Sequence, residues 1–223
     1  MKNIPALDPK VLGLVTEISK EPKVEAAIAF IKDQTEVAML EQIELCEIEA
    51  PTFHEEKRAA SVAERMRQYG LTDVHIDEIG NVIGIRKGSG NGPVLAIGAH
   101  MDSVFPAGTD VKVKKEGNIY RAPGIGDNCS GLRALLQVLR ALEKEDIRTV
   151  GDIWFVGTVG EEGNGDIRGS KHLCANNKLD GFVAIDSTDV GRVLYGAVGS
   201  HRWRLAVDGT GGHSFADFGK TPS

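Results

Sequence analysis

Four short segments of this 223-residue chain place metal ligands at the ends of apolar runs: Ala99-His100-Met101-Asp102, Gly126-Asp127-Asn128, Glu161-Glu162 and Ile185-Asp186. One imidazole and several carboxylates rimming a common pocket form the donor set with which proteins hold two divalent ions close together, so the residues read as a metallohydrolase centre. His100 alone could be a hydrogen-bonded core histidine. Asp102, two residues on in an extended segment, points to the same side and can accept the second ring N–H, which fixes the tautomer and raises ligand basicity. Asp127 could instead cap the helix that follows it. Adjacent carboxylates at a buried strand end repel unless a cation or a proton separates their roles, so one of Glu161 and Glu162 can bind metal while the other handles a proton. Asp186 by itself could be an ordinary turn residue; its company makes it a candidate ligand.

The elements that must position these side chains follow from the apolar periodicity. Val94 to Gly98, Ile153 to Gly157 and Phe182 to Ile185 are short apolar runs without polar alternation, as expected for strands of a parallel sheet covered on both faces. Leu132, Leu135, Leu136, Leu139 and Leu142 repeat at helical spacing directly after the Asp127 loop. In open α/β sheets ligands gather outside the carboxyl ends of the strands, where His100, Glu161 and Asp186 fall.

Upstream, Val24, Ala27, Ile28 and Ile31, continued by Val37, Leu40 and Ile43 towards Cys46, predict one long or two short helices. Thr52 and Glu55 have the form of a capping box opening a helix with the stripe Ala59, Val62, Met66 and Tyr69, stopped by Gly70. Val74 and Ile76, a turn at Gly80-Asn81, and Val82 to Ile85 predict a hairpin. Lys112 to Lys115 predict the exposed face of another, closed at Gly117-Asn118.

Composition narrows the classes. At 41% hydrophobic and 26% charged residues the chain can bury a large core, and a net charge of −6 leaves no basic surface for nucleic acid. Cys46, Cys129 and Cys174 are odd in number and form no C-x-x-C pair, which favours reduced thiols and a cytoplasmic setting over a disulfide scaffold or zinc ribbon. No apolar run has the length of a bilayer span, and Met1 to Lys20 lacks the apolar core of a signal peptide. Gly126 to Gly131 has phosphate-loop spacing, but Leu132-Arg133 stand where Lys and Ser or Thr are required, so no nucleotide site is expected. His54, His75 and His172 fall in helical or surface-like stretches without evident ligand neighbours.

The segments Gly98 to Asp102, Pro123 to Asn128, Gly160 to Gly163, Ile185-Asp186 and Gly211 to Ser214 together resemble the ordered motifs of the cocatalytic dizinc peptidases and deacylases. That family includes peptidase T, glutamate carboxypeptidase, aminoacylase, acetylornithine deacetylase and succinyl-diaminopimelate desuccinylase, and Gly160 to Leu173 looks most like peptidase T. The resemblance implies an α/β catalytic domain with a mostly parallel sheet flanked by helices, followed by a small α+β dimerisation domain.

It also implies two Zn2+ ions, with Co2+ or Mn2+ as alternatives. His100 and Asp186 would hold one, Glu162 the other, and Asp127 would bridge them, with Asp102 orienting His100 and Glu161 as general base. The peptide after the bridging aspartate is often cis in the family, here Asp127-Asn128, and this chain has Asn128 where many relatives carry a second aspartate. His213 matches a lid histidine that helps bind substrate.

On this resemblance residues 1–198 are the N-terminal portion of the catalytic domain and 199–223 the beginning of the lid. Trp203, Leu205 and Val207 would be the lid's first strand, Gly209 to Gly212 a turn, and His213 the start of the next element. Nothing after Asp186 matches the late histidine that completes the second zinc site in relatives. The chain therefore resembles a truncated first part, expected to hold its second metal weakly and to have little activity alone. The expected function is hydrolysis of a peptide bond in small peptides, as an aminopeptidase or dipeptidase that is a homodimer at full length. The alternatives are an N-acyl amino acid deacylase using the same metals and an inactive metal-binding remnant.

Overall fold

Proline and an aspartate open the first helix: in this computed structural model α1 (Pro9–Ile18) starts at Asp8, whose carboxylate accepts the Lys10 N–H. Residues 8–186, 191–199, 201, 203–206, 208–213 and 215–219 are described. They belong to two units, 1–188 and 189–223.

The predicted helical stretch before Cys46 forms two helices, α2 (Pro22–Asp33) and α3 (Thr35–Cys46), parted at Gln34. The α3 stripe through Val37 and Leu40 faces outward, these residues being 47% and 60% exposed. The buried face is Ala38, Glu41, Gln42, Leu45 and Cys46. Counting apolar residues missed it because two of its members are polar groups with long-range partners: Glu41 accepts the Tyr69 hydroxyl, and the Gln42 amide donates to the Ile125 carbonyl.

Helix α4 (Glu56–Gln68) buries Ala59, Val62 and Met66 as the stripe predicts, and Gly70 at φ +100° ends its C-terminal turn. Arg58 on the same helix is buried too, donating to the carbonyls of Met101 and Ile48 and so tying α4 to the segment that carries Asp102.

Strands β1 (Asp73–Ile76) and β2 (Val82–Arg86) form the predicted hairpin, and β3 (Leu95–His100) is central. The short hairpin β4 (Lys114–Glu116) and β5 (Ile119–Arg121) turns at Gly117, and α5 (Cys129–Lys144), β6 (Ile153–Thr158), α6 (Arg168–Asn176) and β7 (Gly181–Ala184) complete the unit. The main sheet has the order β1-β2-β6-β3-β7. β3 runs parallel to both β6 and β7, while β2 is antiparallel to β1 and β6. Two parallel crossovers therefore bring the carboxyl ends of β6, β3 and β7 side by side.

Leu132, Leu135, Leu136 and Leu139 of α5 are fully buried in one core with Leu45, Val62, Met66, Met101 and Phe155. Each such side chain contributes roughly 1.5–3 kcal/mol of burial free energy. The opposite sheet face is covered more thinly, by Ile83, Ala96, Val156 and Leu173. Among the described residues no helix is long and apolar enough to cross a membrane.

In the second unit residues 203–206 form no strand, so the predicted alternation of Trp203 and Leu205 does not become a paired element there; Val207 lies outside the described residues. Trp203 and Leu205 are exposed. Alternation marks a strand only where a neighbouring backbone pairs with it, and none of the described residues of this unit does so. His213 opens a turn in which its N–H donates to Asp217 and its carbonyl accepts the Asp217 N–H.

Candidate metal centre

His100 is the last residue of β3, in register with Thr158 at the end of β6. Its Nε2 lies 3.0 Å from Asp127 Oδ1 and 3.8 Å from Asp186 Oδ1. Its Nδ1 contacts the Asp102 backbone carbonyl at 3.1 Å and the Asp102 carboxylate at 3.5 Å. The imidazole is thus held from both sides by acceptors.

The alternative for Asp127, capping α5, falls to its neighbour. Asn128 is the cap, its Oδ1 accepting the Gly131 N–H at 3.0 Å while its amide donates to the Ile185 carbonyl at 2.9 Å. One side chain therefore starts the helix and anchors the residue before Asp186, leaving the Asp127 carboxylate to face His100. The Asp127–Asn128 peptide is cis, as the resemblance implies.

Asp102 does more than contact His100. Its oxygens accept the backbone N–H groups of Glu161 and Glu162 at 2.9 and 3.0 Å, and the Thr52 hydroxyl at 2.9 Å. The capping box read at Thr52 and Glu55 is not formed. Glu55 makes no side-chain cap for α4; it accepts the Gly160 N–H instead, so both residues serve the ends of β3 and β6.

Ligand atoms of His100, Asp127 and Asp186 lie within 4.8 Å of one another, and so do those of His100, Glu161 and Glu162. Asp127 falls in the first set and Glu162 in the second, with His100 common to both. His213 belongs to the second unit, where its Nδ1 accepts the Phe215 and Ala216 N–H groups.

The electrostatics are those of crowded acids around one base. Burial works against charge on His100, but Asp102, Asp186 and Glu161 outweigh it and lift the imidazole to about 9. Burial also pushes up the Asp102 carboxyl, yet the hydrogen bonds from His100 and from the Glu161 and Glu162 backbone hold it below the ordinary carboxylate range. Glu161 and Glu162 are both pushed up, first by burial and then by neighbouring carboxylates, Asp186 acting on Glu161 and Asp127 on Glu162. Such a cluster favours a multivalent cation, and its mix of one nitrogen and several oxygens fits zinc, cobalt or manganese.

His172, read from the sequence as lacking ligand neighbours, has two: its Nε2 is 2.9 Å from Glu78 and 4.0 Å from Asp77. The β1–β2 turn brings them together from nearly a hundred positions away, which no local pattern announces. Asp77 already accepts the Ile79 and Asn81 N–H groups and the Asn81 amide, so the contact reads as a polar contact that completes a turn.

Residues 96–201 match the sequence profile of Peptidase family M20/M25/M40. A Pyrococcus abyssi protein named as a LysW-lysine/LysW-ornithine hydrolase is 35% identical over 120 residues, 54% of this chain and 32% of that protein. The Bacillus subtilis protein YqjE is 29% identical over 194 residues, 80% of this chain and 51% of its own length. The chain thus spans about a third to a half of the length of these curated relatives.

Among solved structures, the aminopeptidase PepT of Bacillus cereus superposes with a TM-score of 0.58 at 25% identity, covering 68% of this chain and 43% of PepT. A Staphylococcus aureus tripeptidase superposes with a TM-score of 0.57 at 31% identity, covering 69% and 44%. Profile and superpositions agree: residues 96–201 match a peptidase family M20/M25/M40 domain, and the fold is that of the PepT-type aminopeptidases and tripeptidases.

Proposed function

We propose that this chain carries the metal-binding part of a dizinc peptidase that cleaves the peptide bond of small peptides. The observation that supports this best is that His100 is shared by two sets of carboxylates, Asp127 with Asp186 on one side and Glu161 with Glu162 on the other. In this reading His100 and Asp186 would hold one Zn2+ and Glu162 the other, with Asp127 serving both, and Co2+ or Mn2+ could substitute. When bound, the ions would polarise the scissile carbonyl and make water a nucleophile near neutral pH.

Glu161 takes a proton from the attacking water, whose oxygen bonds to the carbonyl carbon, and returns it to the amine as the C–N bond breaks. A half-buried carboxyl already pushed upward suits that exchange. Asp102 fixes the imidazole and, through two backbone amides, the direction of Glu161 and Glu162. His213 binds substrate, and the protein works as a homodimer. Three free cysteines agree with a cytoplasmic location.

A deacylase acting on an N-acyl amino acid is the second reading, favoured by the name of the Pyrococcus relative, which pairs lysine or ornithine with LysW. Initial rates on tripeptides, dipeptides and N-acyl-lysine separate the two. Glu161→Gln tests the chemistry common to both: turnover should fall about 10²–10⁴-fold with metal content unchanged. Retained turnover in that variant would remove Glu161 from its role.

A further inference from the structure

Four successive backbone N–H groups, from Val159 to Glu162, are each taken by a side chain from a distant part of the chain. Asn81 Oδ1 accepts that of Val159 at 3.1 Å, Glu55 Oε1 that of Gly160 at 2.9 Å, and the Asp102 carboxylate those of Glu161 and Glu162. Asp102 already belongs to the site. Glu55 does not, yet it is only 3% exposed.

Glu55 is also paired with Arg168 at the start of α6, whose Nη2 donates to both carboxylate oxygens at 3.1 and 3.0 Å. Arg168 in turn donates its backbone N–H to the Gly160 carbonyl at 3.1 Å and its Nη1 to the Ile79 carbonyl at 2.8 Å, and its guanidinium stands 5.3 Å from the centre of the Phe53 ring. The N–H and the C=O of Gly160 are therefore gripped by the two members of one ion pair. Gly160 adopts φ +59°, and a Cβ there would come within 2.5 Å of Arg168 Nε, so any other residue would be strained and would push the Arg168 side chain aside.

We propose that Glu55 and Arg168 are positioning residues for the reaction: Glu55 holds the Gly160 N–H and the Arg168 side chain holds Glu55 in place, and so they set the direction in which Glu161 and Glu162 leave β6, and hence the affinity for the second metal and the reach of the base. The proposal rests on the reading of Glu161 and Glu162 given above. A buried ion pair adds little net stability, because desolvation consumes most of the Coulombic gain. What this pair supplies is geometry at Gly160, and groups that orient metal ligands from behind are worth about 10–100-fold in metal affinity or activity.

The test uses the full chain and three readouts: zinc titration by calorimetry, tripeptide turnover, and amide hydrogen exchange across residues 156–165. Glu55→Leu/Arg168→Met removes both charges together and leaves no unpaired buried ion. The melting temperature should move by only a few degrees while exchange at Gly160 to Glu162 accelerates. Zinc affinity should fall about 10–100-fold, and whatever tripeptide turnover the unaltered chain has should fall in the same proportion through kcat with KM nearly unchanged. Glu55→Gln, which keeps an acceptor for the Gly160 N–H, should recover most of the loss.

Unchanged zinc affinity and kcat in the folded double variant would overturn the proposal and reduce the pair to a clip between helices. If the double variant does not fold, Glu55→Ala decides on the same readouts, since besides the Gly160 N–H it strands only Arg168, whose side chain is 28% exposed. Failure of the underlying reading has a different signature: the unaltered chain would itself bind no zinc, and the proposal would fall with it although the exchange difference remained.

Discussion

Asp102 Oδ2 accepts the Glu162 backbone N–H at 3.0 Å, and the other oxygen of the same carboxylate accepts that of Glu161. A buried acid at the end of β3 thus fixes the backbone at the end of β6, so that the two parallel strands deliver their side chains in one frame. Sequence spacing suggested only that Asp102 would face His100.

This double acceptance makes Asp102→Asn a sharper probe than its conservative appearance suggests. An amide can accept one of the two N–H groups but turns a donor against the other, leaving a buried N–H unpaired at a cost of about 1–3 kcal/mol. The melting temperature should fall, and zinc affinity should drop about 10–100-fold because the orientation of Glu162 is lost together with that of His100. If the Asp102→Asn protein binds zinc as the parent does, the carboxylate merely fills space.

Gly131→Ala should act on the other side of the site. A Cβ there would come within 2.1 Å of Asn128 Oδ1 and 2.5 Å of the Ile185 carbonyl, the two ends of the link between α5 and β7. Overpacking of this kind costs roughly 1–3 kcal/mol, and here it pries Asp127 away from Asp186. Denaturant unfolding measures the first effect and zinc titration the second. Loss of stability with full zinc affinity would show that the Asn128 link does not control ligand spacing.

How far the site was legible can be judged at Thr52 and Glu55. Their spacing is that of a capping box and the helix they announce exists, but their side chains bond to Asp102 and Gly160. The local pattern predicts the helix because its stripe is local; it cannot predict partners 50 and 105 positions away, since those are decided by the sheet order. The apolar strands and the leucine stripe of α5 were legible because each carries its own period. The buried face of α3 was not, because Glu41 and Gln42 are buried by virtue of Tyr69 and Ile125, which only folding brings near.

The Glu41–Tyr69 contact carries a pH prediction. Burial first, and then the hydrogen bond to Glu41, push the Tyr69 phenol up to about 12. The folded state therefore favours the protonated form. The resulting stability is fully present below the ordinary tyrosine value of about 10 and is lost as pH rises from there through the folded value. The fall in melting temperature between those two values should be shallower in Tyr69→Phe than in the parent. Parallel curves for the two proteins would show that the phenol has no special environment.

Metal addition offers the most direct check on the crowded acids around His100. A ligand that binds only the folded chain stabilises it by about 2.7 kcal/mol at a hundred times its dissociation constant. Zinc should therefore raise the melting temperature in a concentration-dependent way, and a chelator should reverse the rise. Because His100 belongs to both carboxylate sets, His100→Ala should abolish nearly all of the shift. Glu162→Gln touches only the set with Glu161 and should remove part of it. Equal loss in the two variants would mean a single shared ion, whereas a shift that survives His100→Ala would place the zinc elsewhere, with the Asp77, Glu78 and His172 group the next position to examine.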